Sequence, residues 1–434
     1  MIKERILTPF QKFIKIESSS GILLFGASVF ALLWANSSFG ELYNELWEYE
    51  LGIKTESFEL YKPLILWIND GLMAVFFFLI GLEVKRELLL GELNTMKKLA
   101  FPMLGALGGI IFPVAIYFIL NQNPETTKGW AIPIATDVAF ALAIINLLGK
   151  KVPLSLKIFL TAFAIVDDIG AVLVIAIFYS SQIQFDLLFI ALVLLLLVYY
   201  LTHKRLYSKF LTFGVAIAVW NLFLFAGIHP TLAGVFMAFS IPIRQGTSTD
   251  VFVKKLWEIA NKIKTSNTIT NPILTKEQQH HVSELEGWVD HYQSPLQKLE
   301  HRLHDWVAYL IIPIFALANA GVRVVDNQSL DIALMAIIVV ALVLGKSLGI
   351  SLSVFLAKRM GLIAFAKDIN TQHIIGVSFI AGVGFTMSIF IAGLAFSSDP
   401  TYIDSAKIGI LVGSLIAGMI GYFILKLNKG VQEG

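Results

Sequence analysis

The chain has 434 residues, of which 56% are hydrophobic and 15% are charged, with a mean hydropathy of +0.75 and a formal net charge of +2. A soluble globular domain is about half apolar and about one quarter charged, so this composition excludes that class. The lack of cysteine excludes disulfides, thiolate metal sites and Fe–S clusters.

Apolar runs of membrane-spanning length follow one another along the chain. Each has roughly 17–25 residues, the length of a transmembrane helix, and no period of two that would indicate a β-barrel. The predicted spans lie near 20–39, 63–83, 99–120, 130–148, 154–179, 185–202, 208–226, 228–242, 306–320, 330–357, 371–396 and 405–427. Most of the 33 Lys and Arg residues fall in alternate loops that include both termini. The positive-inside rule therefore predicts twelve helices with both termini in the cytoplasm.

Two stretches are predicted to lie outside the membrane. Residues 40–62 mix acidic and aromatic residues on the outer side, and a small β-hairpin is predicted there. Residues 243–303 form a charged cytoplasmic connection, in which "DVFVKKLWEIANKIK" has helical periodicity and is expected to lie along the surface. Neither stretch indicates a separate domain, so 1–434 is predicted to be one transmembrane domain.

Five charged residues fall within the predicted spans: Asp70, Asp137, Asp167, Asp168 and Lys346. Asp70 lies near the outer end of its span, where a structural role is the simpler interpretation. The other four are central, where each Asp or Lys costs about 2.5–3.5 kcal/mol on insertion scales. One lysine can neutralise one aspartate, but it cannot neutralise three. The surplus negative charge indicates a site for protons or cations.

The adjacent pair Asp167 and Asp168 carries the most specific signal. Neighbouring helical residues project about 100° apart, so one carboxylate can pair with Lys346 while the other faces a hydrated cavity. Carboxylate oxygens suit a hard cation such as Na⁺, and a buried carboxylate next to another holds a proton near neutral pH. Na⁺ and H⁺ then compete for the same oxygens, which is the minimum requirement for antiport.

Two spans are predicted to be interrupted. In "GWAIPIATDVAFALAI", Pro133 cannot donate to a helical ladder, and either Thr136 or Asp137 is expected to cap a second half-helix. In "IAGVGFTMSIF", Gly382 and Gly384 lie in the middle of the span. Ends of half-helices carry dipoles, so Asp137 is expected at their positive ends and Lys346 at their negative ends. Similar breaks in both halves favour a transporter with inverted repeats.

Seven motifs, in order along nearly the whole chain, resemble the NhaA-type bacterial Na⁺/H⁺ antiporter family. They are "NDGLMAVFFFLIGLEVKREL", "AIPIATDVAFALAI", "FAIVDDIGAV", "GIHPTLAGV", "HDWVAYLIIPIFALANAGV", "LGKSLGI" and "GVGFTMSIFIAGLAF". The resemblance implies that Asp168 and Asp167 form the Na⁺ and proton site. It implies that Asp167 pairs with Lys346 when Na⁺ is absent, and that Asp137 and Thr136 lie at the crossing of two broken helices.

The same resemblance implies a pH-regulatory role for residues outside this centre. Glu83, Arg86 and Glu300 are expected to form a cytoplasmic ionic cluster, and His229 matches a family histidine linked to the pH response. A solvated Glu83–Arg86 pair at a helix end, and a His229 that hydrogen-bonds the backbone, remain the alternatives. The 243–303 connection is longer than in compact family members, which weakens the assignment of Glu300.

For the whole protein the resemblance implies a twelve-helix bacterial inner-membrane homodimer without a cofactor. It would be a secondary active transporter and not an enzyme. It would exchange cytoplasmic Na⁺ or Li⁺ for external H⁺, electrogenically and under pH activation, for sodium and pH homeostasis. The alternative is a sodium-coupled solute symporter on a similar scaffold. An intramembrane aspartyl protease is disfavoured because a central lysine would compete for the charge and no GxGD motif occurs.

Overall fold

The computed structural model describes residues 9–55, 59–91, 93–180, 183–204, 206–244, 247–265, 273–323 and 330–428. Within these ranges the chain is mostly helical, and six helices are long and apolar enough to cross a membrane. They are Leu64–Leu90, Leu99–Leu120, Leu154–Phe178, Phe185–His203, Ile332–Arg359 and Pro400–Leu427. Each coincides with a predicted span, so the helical membrane class is confirmed.

Further spans meet the same criterion only as bent pairs of helices. The pairs are Ser19–Ala35 with Gly40–Glu48 (bent by 112°), Pro124–Ile134 with Val138–Leu147 (49°) and Thr371–Ile380 with Phe385–Ala395 (44°). Counting each pair once gives up to nine spans in the described ranges, beside the shorter apolar helices Lys209–Phe225 and Thr231–Ser240. The count of twelve stays a prediction.

The remaining helical elements complete the chain order. The other α-helices are Thr249–Thr265, Lys276–Tyr292, Pro295–Trp306 and Ile312–Asn319. Two helices named above have longer full bounds, Pro9–Ala35 and Met96–Leu120. Three π-helical segments interrupt longer helices, at Trp67–Leu72, Val307–Ile311 and Ala341–Lys346, and Gly149–Lys151 is a short 3₁₀ turn. Because the third π-helical segment ends at Lys346, the irregularity coincides with the buried charge.

The β-hairpin that was predicted for residues 40–62 forms only in the second half of that stretch. Strands Glu50–Lys54 and Glu59–Pro63 pair antiparallel, with Glu50 opposite Pro63. Residues Gly40–Glu48 instead form a helix, which corrects the prediction. The physical reason is aromatic spacing: Tyr43 and Trp47 are four residues apart, both are buried, and Tyr43 packs at 5.4 Å from Trp34.

The long connection forms two charged helices followed by the approach to the next span. Helix Thr249–Thr265 contains the stretch predicted to be helical, and it packs on helix Lys276–Tyr292 through stacked Phe252 and Tyr292 rings 4.1 Å apart. Pro295–Trp306 then leads directly into the apolar segment that follows. The helical part of the prediction is confirmed.

Close contacts between two helices at glycine residues position the segment that carries Lys346. A Cβ atom on Gly108 would lie 2.1 Å from the Gly349 carbonyl oxygen, and one on Gly349 would lie 2.1 Å from the Gly108 carbonyl oxygen. A Cβ on Gly345 would lie 2.8 Å from Pro113 Cα. Helices Met96–Leu120 and Ser347–Arg359 can therefore approach backbone to backbone, which small residues allow in membrane bundles.

Candidate functional site

The two helix breaks meet at Asp137. Asp137, rather than Thr136, is the N-cap of Val138–Leu147, and its Oδ1 accepts from Phe140 N at 3.0 Å. Its Oδ2 accepts from the backbone N of Thr386 at 3.2 Å and from Thr386 Oγ1 at 2.5 Å. One carboxylate thus lies at the N-terminal ends of both second half-helices, where helix dipoles favour negative charge.

Further hydrogen bonds join the residues of the two breaks. Thr136 Oγ1 donates to the Ala381 carbonyl at 2.9 Å, and Asp137 N donates to the Val383 carbonyl at 2.7 Å. A Cβ on Gly382 would lie 2.6 Å from the Leu342 carbonyl oxygen. The glycine therefore serves both as a break and as a close contact with the helix that carries the central lysine.

Lys346 and Asp167 form an ion pair with no solvent exposure. Both side chains are 0% exposed, and Lys346 Nζ lies 2.8 Å from Asp167 Oδ2. Lys346 also donates to the carbonyl of Ile134, the last residue of the first half-helix, so its positive charge lies at a C-terminal end. Asp167 Oδ1 makes no hydrogen bond within the described part of the chain, although Thr136 is a close neighbour of the carboxyl group.

Asp168 points away from this pair into a small cavity. Its side chain is 7% exposed, and no hydrogen bond joins it to another described residue. The cavity has a volume of about 60 Å³, and its polar lining consists of three carboxylates and three hydroxyls. These belong to Glu83, Thr136, Asp137, Thr161, Asp168 and Thr386. The arrangement provides oxygen ligands and surplus negative charge, the combination that suits a hard monovalent cation or a proton.

Glu83, Arg86 and Glu300 lie together in one charge cluster. Arg86 forms an ion pair with Glu300 across 214 positions, and its Nη2 lies 2.8 Å from Glu87 Oε1. Glu83 Oε1 lies 3.8 Å from His304 Nδ1. Burial raises the pKa of Glu300 to about 7, although the Arg86 guanidinium opposes the shift. The cluster therefore contains a carboxyl group that titrates near neutral pH.

His229 lies apart from that cluster, beside the Asp70 end of the molecule. Its ring packs edge-on against Phe390, with 6.2 Å between centroids, and its charged neighbours are Asp70 and Lys62. Asp70 Oδ2 is 3.3 Å from Lys62 Nζ, and the Asp70 carbonyl accepts from Trp220 at 2.9 Å. Asp70 thus joins the hairpin to the span, in agreement with a structural role.

Thr161 and Thr386 line the cavity but were not among the candidate ligands from sequence. Thr161 precedes Asp168 by seven residues, and Ile165 lies between them on the same face of helix Leu154–Phe178. This i, i+4, i+7 spacing was a usable signal for Thr161. Thr386 lies two residues after Gly384, which belongs to the second break. Its contact with Asp137 depends on how the two breaks cross, so the local sequence does not predict it.

Comparison with known proteins covers nearly the whole chain. Residues 11–425 match the family described as Na⁺/H⁺ antiporter 1. The Na⁺/H⁺ antiporter NhaA of Oleidesulfovibrio alaskensis is 43% identical over 430 residues, covering 98% of this chain and 95% of the relative. NhaA 1 of Saccharophagus degradans is 42% identical (99% and 93% covered), and NhaA of Bacteroides fragilis is 40% identical (97% and 98% covered). This chain is therefore a member of the Na⁺/H⁺ antiporter 1 family.

Proposed function

We propose that the chain exchanges cytoplasmic Na⁺ or Li⁺ for external H⁺. The observation that carries this proposal is the unpaired Asp168 carboxylate, 7% exposed, in a cavity lined by oxygen ligands. A buried carboxylate without a partner must bind a proton or a cation. The antiporters named above, at 40–43% identity over almost their full lengths, support the same exchange.

The neighbouring charges have separate roles in this proposal. Asp168 binds the transported cation or proton together with Asp167, and Lys346 holds Asp167 when no cation is bound, as their 2.8 Å contact suggests. Asp137 neutralises the helix ends at the crossing, with Thr136 beside it. A second protonatable group at Asp167 or Lys346 makes transport electrogenic, because more H⁺ enters than Na⁺ leaves.

The charge cluster of Glu83, Arg86 and Glu300 is proposed to make transport pH-activated, with His229 contributing from a different region. Glu83 lines the cation cavity and also faces His304, so it connects the cluster to Asp168. Raising the pH through about 7 ionises Glu300 and strengthens its pairing with Arg86. The His229 assignment rests on the family resemblance alone.

The proposed setting is the bacterial inner membrane, with both termini cytoplasmic, one transmembrane domain over 1–434 and a homodimeric assembly. Twelve spans follow if the bent pairs are each one crossing and three shorter segments also cross. These segments are Lys209–Phe225, Thr231–Ser240 and the helical stretch Val307–Ile311 with Ile312–Asn319. The two breaks then belong to two inverted repeats crossing at the middle of the membrane.

A sodium-coupled solute symporter is the less favoured alternative. Sites for small organic molecules usually have volumes of about 300–1,000 Å³. The cavity at Asp168 has about 60 Å³, which suits an ion with little water and not an organic solute.

The experiment uses inside-out vesicles that carry an imposed pH gradient and a pH-sensitive dye. We expect NaCl and LiCl, but not choline chloride, to dissipate the gradient. The variant Asp168→Asn removes one charge and one proton site at unchanged volume, so its cation response should fall to the background. Asp70→Asn is the matched control, since Asp70 is a buried aspartate that pairs outside the cavity, and it should retain the response. A wild-type response from Asp168→Asn would contradict the mechanism.

A further inference from the structure

The three threonine hydroxyls of the cavity share one property. Thr161 Oγ1 donates to the Lys157 carbonyl at 3.0 Å, and Thr136 Oγ1 donates to the Ala381 carbonyl at 2.9 Å. Thr386 Oγ1 donates to Asp137 Oδ2 at 2.5 Å. A hydroxyl has one hydrogen and two lone pairs, so each of these groups presents only lone pairs to the cavity. The hydroxyl lining can therefore accept but not donate.

Thr161 differs from the other two because it does not belong to the helix crossing. It lies two turns before Asp168 on the same helix face, about 10 Å along the axis at 1.5 Å per residue. On the contacting helix Met73–Leu90, Phe76, Ile80 and Glu83 line the cavity at i, i+4 and i+7. Thr161 and Glu83 therefore both line the cavity beside Asp168, and Glu83 interacts electrostatically with Asp168.

We propose that Thr161 is a specificity-determining residue that favours Na⁺ over H⁺ in the competition for this cavity. Its hydroxyl oxygen is a ligand for the cation that Asp168 binds in this cavity, either directly or through the water that the cation retains. A carboxylate binds both competitors, whereas a neutral hydroxyl binds Na⁺ and does not take up a proton in the physiological range. Thr161 therefore raises the affinity for Na⁺ without raising the affinity for H⁺. This inference rests on the proposed Na⁺/H⁺ exchange.

The test replaces Thr161 with Val, which keeps the branched shape and removes the oxygen. In the vesicle assay, we expect Thr161→Val to raise the half-saturating Na⁺ concentration about tenfold at every pH. The reason is that the cation loses one oxygen ligand, whose contribution is similar to that of a hydrogen bond to a charged group. The rate at saturating Na⁺ should stay within twofold of wild type. Thr161→Ser keeps the oxygen and should restore the wild-type value. Protection of the purified protein against thermal unfolding by NaCl should shift to higher concentration in the same way.

Thr212→Val is the matched control. Thr212 is buried, its hydroxyl also donates to the carbonyl four residues earlier, at 2.8 Å from Ser208 O, and it does not line this cavity. Its replacement should leave the Na⁺ dependence unchanged. The inference is overturned if Thr161→Val has a wild-type half-saturation, or if Thr161→Ser does not restore the wild-type half-saturation. A wild-type protein with no Na⁺ response would instead overturn the proposed exchange itself.

Discussion

Asp167 and Lys346 show how individual residues can be inferred from sequence and where that inference stops. Counting central charges predicts a lysine–aspartate pair with carboxylates left over, and the pair is found with Asp167. Charge counting leaves open which aspartate faces the lysine, since adjacent helical positions differ only by rotation about the helix axis, and it was the family resemblance that named Asp167. The rotation of helix Leu154–Phe178 depends on contacts far apart in the chain, such as that of Gly170, where a Cβ would lie 2.7 Å from Ile110 Cδ1.

The pair provides a prediction about stability. Lys346→Gln leaves Asp167 buried and unpaired, and breaking a buried pair in this way typically costs about 3–5 kcal/mol. Asp167→Asn leaves the lysine unpaired and should also destabilise. The double variant Asp167→Asn with Lys346→Gln contains no unpaired charge and should recover much of the loss.

Thermal unfolding in detergent measures this cycle, with transport current in proteoliposomes recorded alongside. Asp168 remains in the double variant, so any residual exchange should become electroneutral. Lys255→Ala, which disrupts the exposed Lys255–Glu258 pair, should leave the melting temperature unchanged. Strictly additive losses in the double variant would show that the two residues do not stabilise each other.

At the scale of elements, the breaks were more predictable than the short helix Gly40–Glu48. Pro133 and the Gly382–Gly384 pair disrupt helical hydrogen bonding locally, so local sequence marks where the half-helices end. The helix Gly40–Glu48 depends instead on a tertiary contact of Tyr43 with Trp34, and Trp47 packs against Tyr43. The π-helical segments also lack a local sequence marker.

Helix Pro295–Trp306 carries the pH prediction. Glu300 has a pKa of about 7 because it is buried, so it is neutral below that pH and ionised above it. Glu300→Gln fixes the neutral form at every pH, and Glu300→Lys reverses the sign facing Arg86. Both should shift or flatten the pH profile of exchange around pH 7 while transport at the optimum persists.

The measurement is the initial rate of Na⁺-dependent proton movement from pH 6 to pH 9. The matched control is Glu277→Gln, an exposed carboxylate of the preceding charged helix Lys276–Tyr292, which should preserve the wild-type profile. An unchanged pH profile in both Glu300 variants would show that the cluster is a structural ion pair without a role in pH activation.

For the whole molecule, membrane character follows from composition, but the number of crossings does not. Long apolar helices such as Leu154–Phe178 can be recognised as spans from their length alone. Thr231–Ser240 has ten residues and reaches spanning length only together with its non-helical flanks. The cavity is a property of the assembled bundle, because its lining comes from the two breaks and from three further segments, the helices Met73–Leu90 and Leu154–Phe178 and the stretch 307–312.

Orientation can be tested because the chain has no cysteine, so one introduced thiol is unique. Asn261→Cys lies in the long charged connection, and Tyr49→Cys lies beside the outer hairpin; both positions are exposed. A membrane-impermeant maleimide should label Asn261→Cys only in inside-out vesicles and Tyr49→Cys only in right-side-out vesicles. Labelling of both from the same side would contradict the proposed topology.

The shared cap at Asp137 also has a consequence for biosynthesis. Asp137 and Thr386 are 249 positions apart, so the residues of the first break are translated long before those of the second break. At about 5–20 residues per second, roughly 12–50 s of translation separate the two. Throughout that interval the Asp137 carboxylate caps only its own half-helix. The ion site is therefore completed only after the ribosome has synthesised most of the chain.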